Sequence, residues 1–283
     1  MSTTQMKSRL PAVGIVGAGR VGSVFAARLA AAGFPIMGIA ARSHASKLRA
    51  QTLVPHVDVL APSEIAERAD VLILAVPDDQ LETIATELAP WSRPGQIVIH
   101  TSGRHGVAVL GVMSGARRIA MHPAMSFTGT SVDLDRTCVF GVTAADSEHE
   151  IAEELVAALG GTALWIAEAD RVRYHAALAF GANNITTIVG QAMDLLRSIG
   201  ADNPADILGP LLEATLDNTL HYGDAALTGP VARGDVGTVR AHLDAIATDA
   251  SLSETYVALA RATARRAARP EIEAALESAK DRA

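Results

Sequence analysis

Short apolar runs alternate with helical patterns through the first half of the chain. The runs cover residues 12–16, 35–40, 71–76, 96–100 and 119–122. Each run is largely apolar instead of alternating with polar residues, which is typical of parallel strands covered on both faces. Between the runs, apolar residues recur at spacings of three and four, as they do in helices that pack on a sheet. The alternation predicts an α/β domain with a parallel sheet.

The second half of the chain has a different pattern. Strands at 138–143 and 163–166, with a helix at 147–159 between them, complete the predicted sheet. A short apolar stretch at 57–60 predicts one further short strand. Helical periodicity then continues to the end of the chain, over residues 170–198, 204–221, 236–248, 251–268 and 270–281. We therefore predict a Rossmann-type doubly wound α/β domain over residues 1–167 and an all-α domain over residues 168–283.

Composition and charge exclude several classes of protein. The net charge is −7, so we expect no nucleic-acid binding, which requires a basic face. The sequence has no apolar stretch of about 20 residues and no signal peptide pattern, which predicts a cytoplasmic protein without a membrane span. The single cysteine, Cys138, excludes an internal disulfide and a multi-cysteine metal site. We expect no metal site, because the histidines and carboxylates lack ligand spacing.

A glycine-rich turn follows the first predicted strand. Gly17, Gly19 and Gly22 form the pattern G-x-G-x-x-G, completed by Ala18, Arg20 and Val21. In a dinucleotide site, these glycines allow a tight turn, a close backbone approach to the pyrophosphate and close packing of helix on strand. The helix that follows offers its free N–H groups to the phosphates. Because the pattern lies between a strand and a helix, we predict that residues 17–22 bind a dinucleotide; the alternative is a glycine-rich turn without a ligand.

The residues after the second strand indicate which dinucleotide is bound. An NAD site has an acidic residue here to hold the ribose hydroxyls, and this chain has none. Arg42 and Ser43 instead suit a 2′-phosphate as cationic and hydroxyl donors, which predicts NADP(H). The alternative for Arg42 is a solvated loop cation.

Two further segments end strands at the same predicted sheet edge, where ligands bind in doubly wound folds. Val76 and Pro77 follow the third strand, and we expect them to contact the cofactor through their backbone. Thr101 and Ser102 follow the fourth strand. Ser102 has two open interpretations: it binds a carboxylate or the nicotinamide amide, or it caps a helix that follows.

Candidate catalytic residues lie beyond these cofactor segments. His122 ends the fifth strand at the ligand edge, and its alternative is an ordinary structural histidine. On the helix predicted over 170–198, His175 and Asn183 are eight residues apart and are expected to share a face. Arg233 follows in a glycine-rich segment at 227–235 and is a candidate to hold a substrate carboxylate, whereas Asp235 is a candidate helix cap. The small residues of the 170–198 helix also predict a homodimer interface.

The chain resembles a superfamily of reductases. The matching segments are residues 17–22, 75–78, 100–103, 121–123, 174–177 with Asn183, and 228–235. They resemble the ketopantoate reductase, pyrroline-5-carboxylate reductase and 6-phosphogluconate dehydrogenase-like superfamily. The resemblance is closer to Rossmann-like proteins with a C-terminal domain of unknown function. It implies an NADPH-dependent reductase of a small 2-keto acid, with ketopantoate as the expected substrate and pantothenate synthesis as the expected role.

One departure from this superfamily concerns the proton donor. Classical ketopantoate reductases resemble one another in having a catalytic lysine on the first helix after the nucleotide domain, but this chain has no lysine between Lys47 and Lys280. Histidine, with its pKa near neutrality, is the available donor, so His175 or His122 is expected to protonate the alkoxide. Asn183 is expected to polarise the carbonyl or orient the acid.

Three alternatives to ketopantoate reduction remain open. The first is an imine reductase of the pyrroline-5-carboxylate reductase type, because an iminium substrate already carries its proton. The second is an enzyme similar to prephenate dehydrogenase, which the segment 121–123 resembles. The third is a non-catalytic protein that senses or binds NADP(H), since a fold alone does not establish catalysis.

Overall fold

The chain folds into two compact units, the first ending at Phe180 and the second beginning at Gly181. The structure, a computed structural model, describes residues 10–280. The first unit contains a seven-stranded sheet. Its strands are β1 (Val13–Val16), β2 (Ile36–Ala40), β3 (Val71–Leu74), β4 (Ile97–His100), β5 (Arg117–Pro123), β6 (Cys138–Ala144) and β7 (Gly161–Trp165).

The strand order is β2-β1-β3-β4-β5-β6-β7. The first five strands in sequence are parallel to one another, β6 runs antiparallel to β5, and β7 is parallel to β6. This arrangement confirms the predicted doubly wound α/β fold. Because β1, β3, β4 and β5 run the same way, the segments that follow them meet at one edge of the sheet.

Helices cover both faces of the sheet. In the first unit they are α1 (Arg20–Ala31), α2 (His44–Leu53), α3 (Pro62–Arg68), α4 (Leu81–Leu88), α5 (His149–Ala158) and α6 (Arg171–Leu178). One core contains Phe25, Phe140 and Leu155, and the other contains Ile65, Leu72 and Leu81. With an apolar core on each side, the central strands are buried on both faces, which explains why their sequences do not alternate.

The predicted strand at 57–60 does not form. The structure has only an isolated parallel bridge between Ile39 and Val59 at this position. The Ile39 backbone accounts for it: its N–H donates to Asp58 and its carbonyl accepts from Leu60. The chain then enters α3 at Pro62 before a second residue pair can form, and proline is a favoured first residue of a helix.

The helix predicted over 170–198 is interrupted. The segment Ala179–Asn183 is π-helical and separates α6 from α7 (Asn184–Ser198). Its i→i+5 turns interrupt the predicted continuous helix, and the shared face of His175 and Asn183 stays a prediction. The boundary between the two units lies within this π-helical segment and not after residue 167. The difference arises because α6 packs on the sheet of the first unit through the buried side chain of Arg171.

The second unit is helical, as predicted. After α7 its helices are α8 (Pro204–Tyr222), α9 (Gly229–Arg233), α10 (Val236–Ala245), α11 (Ala250–Arg266) and α12 (Pro270–Lys280). Helix α9 replaces the loop expected within 227–235, and Gly234 ends it in the left-handed conformation at φ 74°. Among the described residues, no helix is long and apolar enough to cross a membrane.

Candidate active site

The glycine-rich turn has the geometry that the sequence predicts. Gly17 has a φ of 111°, and a Cβ on it would lie 2.3 Å from the Ala75 carbonyl oxygen. A Cβ on Gly22 would lie 2.0 Å from the Gly17 oxygen, so α1 can pack on β1 only without a side chain there. Gly19 is different, because no atom lies within 4 Å of where its Cβ would be. Two glycines therefore serve the fold, and the third leaves open space.

The start of α1 offers donors to a ligand in that space. Gly19 is the N-cap residue of α1, and no side chain caps the helix. The first N–H groups of a helix need partners, and an anion at the N-terminus satisfies them. Of the other residues predicted to bind the cofactor here, Ala18 is buried, Val21 is partly buried and Arg20 is exposed. The turn fits a dinucleotide pyrophosphate, and the contacts themselves stay a prediction.

The two residues predicted to bind the 2′-phosphate lie at the carboxyl end of β2. Arg42 is exposed, and its Nη1 donates to Gln80 Oε1 at 3.3 Å. Ser43 is the N-cap of α2, and its Oγ accepts from the Ser46 N–H at 3.1 Å. Ser43 thus has a structural role that the sequence interpretation did not include. Arg42 has no carboxylate partner among the described residues, so its charge is available to a phosphate.

A second arginine at this turn was not predicted. Arg49, on α2, donates from Nη1 to the Ala18 oxygen at 3.3 Å. Gly129, at φ 77°, approaches both Arg49 and Arg20: a Cβ there would lie 2.6 Å from Arg49 Nε and 3.0 Å from Arg20 Cγ. Two guanidinium side chains therefore flank the glycine-rich turn. Nothing in the sequence distinguishes Arg49 from other surface arginines, because its position depends on how α2 packs.

The segments that follow β3 and β4 border the same turn. Val76 is partly buried and Pro77 is exposed, directly after the Ala75 carbonyl that Gly17 approaches. Thr101 is partly buried and its N–H donates to the Leu74 oxygen. This places Val76, Pro77 and Thr101 at the predicted edge, and their contacts with a cofactor stay predictions.

Ser102 is buried, and its contacts are local. Its Oγ accepts from the His105 N–H at 3.2 Å, and its N–H donates to His100 Nδ1 at 3.2 Å. His100 Nε2 then donates to the Gly106 oxygen at 2.9 Å, which fixes the neutral tautomer. Burial lowers the pKa of His100 to about 4, so the ring is neutral at physiological pH. These contacts correspond to the capping interpretation of Ser102, in a turn and not a helix.

Two histidines converge beside Gly103. His122 ends its strand with Nδ1 3.0 Å from the Tyr174 hydroxyl, and the His175 ring lies edge-on to it at a centroid distance of 5.8 Å. A Cβ on Gly103 would lie 2.4 Å from His175 Cδ2 and 3.0 Å from His122 Nε2. A glycine at position 103 is therefore what allows the two rings to approach. The sequence predicted both histidines but not the partner, Tyr174.

A buried arginine donates hydrogen bonds to the segments that border this histidine cluster. Arg171 is fully buried; its Nη2 donates to the Ser102 oxygen at 2.6 Å, and its Nη1 donates to Thr143 Oγ1 at 3.1 Å and the Gly141 oxygen at 3.3 Å. Its Nε has no partner, and no carboxylate among the described residues forms a salt bridge with it. The guanidinium thus adds a positive charge next to the histidines that no salt bridge pairs, although Glu168 and Asp78 interact with it at longer range.

The electrostatic surroundings determine the charge of His122. Burial lowers its pKa to about 4, and the charges of His175 and Arg171 add to the effect. His122 is therefore neutral at physiological pH, and the expectation that a pKa near neutrality makes it an acid is wrong for this residue. Burial also raises the pKa of Tyr174, while the Arg171 charge and a hydrogen bond from the Gly141 backbone oppose the rise.

The remaining predicted residues belong to the second unit. Asn183 ends the π-helical segment, Arg233 ends α9, and both are exposed. Asp235 is the N-cap of α10, accepting from the Thr238 N–H at 3.0 Å, which confirms its capping interpretation. That hydrogen bond also lowers the pKa of Asp235. The roles of Asn183 and Arg233 stay predictions. The described residues include no group of histidines, cysteines and acids suited to a metal ion.

Comparisons with known domain families identify both parts of the chain. A model of the Rossmann-like domain matches residues 2–123, and a model of a domain of unknown function, DUF2520, matches residues 138–263. The chain thus combines a Rossmann-like domain with a DUF2520 domain, in agreement with the predicted resemblance. No curated protein is significantly similar to it in sequence.

Solved structures share the fold over most of the chain. A candidate NADP oxidoreductase from Bacteroides fragilis matches with a TM-score of 0.80 and 20% identity, over 91% of this chain and 99% of its own. A reductive aminase from Aspergillus terreus, bound to NADPH and ethyl levulinate, matches with a TM-score of 0.69 and 16% identity, over 95% of this chain and 99% of its own. A pyrroline-5-carboxylate reductase from Coxiella burnetii matches with a TM-score of 0.55 and 17% identity, over 90% of this chain and 96% of its own. The fold is therefore one that oxidoreductases use.

Proposed function

We propose that this protein is an NADPH-dependent reductase of a small 2-keto acid, with ketopantoate as the first substrate to test. The observation that carries the proposal is the approach of His122 and His175 to Gly103, at the sheet edge that also holds the glycine-rich turn. Ligands of doubly wound folds bind at this edge. The fold shared with the NADPH-bound reductase from Aspergillus terreus supports the cofactor assignment.

The charge of Arg171, which forms no salt bridge with a carboxylate among the described residues, supports an anionic substrate. A buried guanidinium without a carboxylate partner produces a positive potential that water screens poorly. Such a potential favours a substrate carboxylate near the histidines, and it favours the alkoxide that forms when a ketone accepts a hydride. Since Arg171 is fully buried, we expect it to act through its field and not by direct contact with the substrate.

Imine reduction is a second candidate. The observation in its favour is the neutral state of His122, together with the raised pKa of Tyr174, since both make weak acids. A protonated imine already carries the proton that a ketone must obtain from the protein. Two of the proteins with a similar structure are named as a pyrroline-5-carboxylate reductase and a reductive aminase, and these names fit imine reduction.

The experiment is to measure NADPH consumption with ketopantoate and with pyrroline-5-carboxylate, each repeated with NADH, and NADP+ reduction with prephenate. Turnover of ketopantoate with NADPH and little with NADH supports the first proposal. Turnover of pyrroline-5-carboxylate alone supports imine reduction. Tight NADPH binding without turnover of any of the three substrates refutes these assignments and favours a protein that senses NADP(H).

Replacing Arg42 with alanine is expected to weaken NADPH binding about 10- to 100-fold, the loss of one charge-assisted hydrogen bond of about 1.5–3 kcal/mol. NADH binding is expected to stay unchanged, because NADH lacks the 2′-phosphate. Titration calorimetry with both cofactors measures the difference. Arg118→Ala is the matched control, since this exposed arginine lies at the amino end of β5, away from the cofactor edge. Equal losses for the two cofactors would show that Arg42 does not contact the 2′-phosphate.

We also propose that the protein is a homodimer assembled through α7 and α8. The core of the second unit consists of Val239, Ala260, Ala264, Ile272 and Leu276, all from α10, α11 and α12. In contrast, no residue of α7 and only one of α8 is buried. Large apolar side chains on these helices are exposed, including Leu211 at 61% and Leu220 at 76%. Apolar surface of this kind marks an interface.

A second copy of the chain fits this surface. A two-fold interface brings the same patch of both copies together, so the patch must complement itself. Asp206 lies near the amino end of α8 and His221 near its carboxyl end. Two α8 helices that pack antiparallel would place each carboxylate opposite a histidine ring, which can donate a hydrogen bond to it.

Changing Leu216 and Leu220 to glutamate together is expected to convert a dimer into a folded monomer, because four charges would face one another in a two-fold interface. Light scattering coupled to size-exclusion chromatography measures the mass. Leu48→Glu is the control, since Leu48 is similarly exposed, at 55%, on α2 of the first unit. A monomeric wild-type protein would contradict the proposal.

A further inference from the structure

We propose that Tyr174 and His122 form a proton relay, in which His122 Nε2 protonates the substrate oxygen while His122 Nδ1 takes the phenolic proton of Tyr174. The relay rests on the proposed reduction of a carbonyl group. It assigns Tyr174 a part in the reaction and gives His122 a way to donate a proton without first becoming an imidazolium.

The first support is the direction of the hydrogen bond between the two side chains. The Tyr174 hydroxyl lies 3.0 Å from His122 Nδ1. Among the described residues, the Tyr174 hydroxyl has no other side-chain hydrogen-bond partner, which leaves its hydrogen for His122 Nδ1. A neutral imidazole that accepts at Nδ1 carries its hydrogen at Nε2.

The second support is the position of Nε2. Within the described part of the chain, this atom has no hydrogen-bond partner, and it is not fully enclosed. It lies beside Gly103 and the His175 ring, which fill the space where a Cβ on Gly103 would lie 3.0 Å from Nε2. The only N–H of the neutral ring therefore has no acceptor within the described residues, at the sheet edge where the proposed substrate binds.

The chemistry balances without any group beyond the proposed reaction. Hydride transfer to the carbonyl carbon, the chemistry that NADPH would supply when bound, would leave an alkoxide on the substrate. The alkoxide takes the proton from His122 Nε2, and Nδ1 takes the proton from the Tyr174 hydroxyl, so His122 stays neutral and Tyr174 becomes a phenolate. The site is restored when Nδ1 returns its proton to Tyr174 and Nε2 takes one proton from water.

The surroundings favour this path over a protonated histidine. Burial and the charges of His175 and Arg171 keep the pKa of His122 at about 4, so few molecules hold an imidazolium at neutral pH. The Arg171 charge and the Gly141 backbone stabilise a phenolate at Tyr174, although burial alone raises its pKa. The transfer is driven by the alkoxide, which is a much stronger base than a phenolate.

The packing of the tyrosine ring depends on a glycine. A Cβ on Gly141 would lie 2.6 Å from Tyr174 Cζ and 2.7 Å from its oxygen. Gly141 stands opposite His122 in the pairing of β5 with β6, so the same strand position holds both members of the pair in place. Gly141→Ala is therefore a second variant, which keeps the phenol but moves it from His122.

The deciding experiment has one readout that needs no substrate. Nitrogen NMR of the full-length protein distinguishes the two neutral tautomers of His122, whose signals are assigned by their loss in His122→Gln. Hydrogen on Nε2 is expected in the wild type, with a changed tautomer balance in Tyr174→Phe and Gly141→Ala. Hydrogen on Nδ1 in the wild type would overturn the relay, because the Tyr174 oxygen would then be the acceptor.

The second readout compares two classes of substrate. Tyr174→Phe is expected to lower kcat for the keto acid about 100-fold, within the usual contribution of a general acid, with KM unchanged. For an imine that carries its own proton, kcat is expected to fall less than about 3-fold in the same variant, because this substrate needs no relay. The control is Tyr222→Phe, an exposed tyrosine of α8.

The outcomes separate the relay from the proposed function. Equal losses for both substrates in Tyr174→Phe would give the tyrosine a merely structural role and overturn the relay. Absence of turnover with every carbonyl substrate would refute the proposed function and, with it, the transfer to substrate. If the wild-type protein reduces a carbonyl substrate but its His122 carries the hydrogen on Nδ1, the proposed function holds and the relay alone is overturned.

Discussion

Replacing Gly22 with alanine is expected to lower the free energy of unfolding by about 3 kcal/mol or more, the upper range for overpacking a core. The added methyl group would lie 2.0 Å from the Gly17 oxygen and 3.0 Å from the Ala75 side chain. The first of these is a backbone atom of the glycine-rich turn, so it cannot move aside as a flexible side chain does. Helix α1 must shift away from β1, or the turn must deform. Urea unfolding followed by circular dichroism measures the change.

Gly19→Ala is the matched control for this prediction. A Cβ at position 19 meets no atom within 4 Å, so the free energy of unfolding is expected to change by less than about 1 kcal/mol, a change of N-cap residue. NADPH binding is nevertheless expected to weaken, because the methyl group would occupy the space in which the pyrophosphate approaches the backbone. If the two variants proved equally stable, Gly22 would not be required for packing.

The strands and the cofactor edge could be predicted because they depend on local rules. A run such as residues 71–76 is buried on both faces, and a buried run must be apolar whatever lies around it. The glycine-rich turn is similar, since the positive φ of Gly17 and the approach of Gly22 to the Gly17 oxygen arise within a few residues. The stretch at 57–60 also has strand character, but Pro62 begins a helix before pairing extends, and one bridge is all that forms.

The arrangement of the histidine cluster could not be predicted from the sequence. The π-helical turn at Ala179–Asn183, which interrupts the predicted helix after His175, has no clear sequence signal. Arg171 lies at the start of the helix predicted over 170–198, where nothing in the sequence indicates burial, yet tertiary packing buries it against the Ser102 oxygen and β6. The neutral state of His122 follows from that packing, because it depends on burial and on charges that are distant in sequence.

Replacing Arg171 with methionine is expected to destabilise the first unit by about 2–4 kcal/mol and to raise the pKa of His122. Methionine fills a similar length, so little packing is lost. The Ser102 oxygen and Thr143 Oγ1 lose a donor, and each buried group left without one costs about 1–3 kcal/mol. The cost of burying an unpaired guanidinium is removed at the same time, which offsets part of the loss.

The charge and the hydrogen bonds of Arg171 can be separated with Arg171→Lys. Lysine keeps the positive charge but cannot donate to both the Ser102 oxygen and Thr143 Oγ1 as the planar guanidinium does. We therefore expect the free energy of unfolding to fall while the pKa of His122 stays near 4. In Arg171→Met the positive charge is gone, and that pKa rises toward 6.5, although burial and His175 still hold it below that value. An unchanged pKa in a folded methionine variant would show that the Arg171 charge does not reach the histidine.

The same variants predict how stability depends on pH. His100 and His122 both have a pKa of about 4 in the folded protein and 6.5 in the unfolded chain. Between these values the unfolded chain binds more protons, so stability is lost as the pH falls from about 6.5 toward 4. In Arg171→Met both folded pKa values move up, and the loss over this interval becomes smaller. Urea unfolding of the wild type and both variants at pH 7 and pH 5 tests this. A wild-type protein equally stable at the two pH values would contradict the neutral, buried state of the two rings.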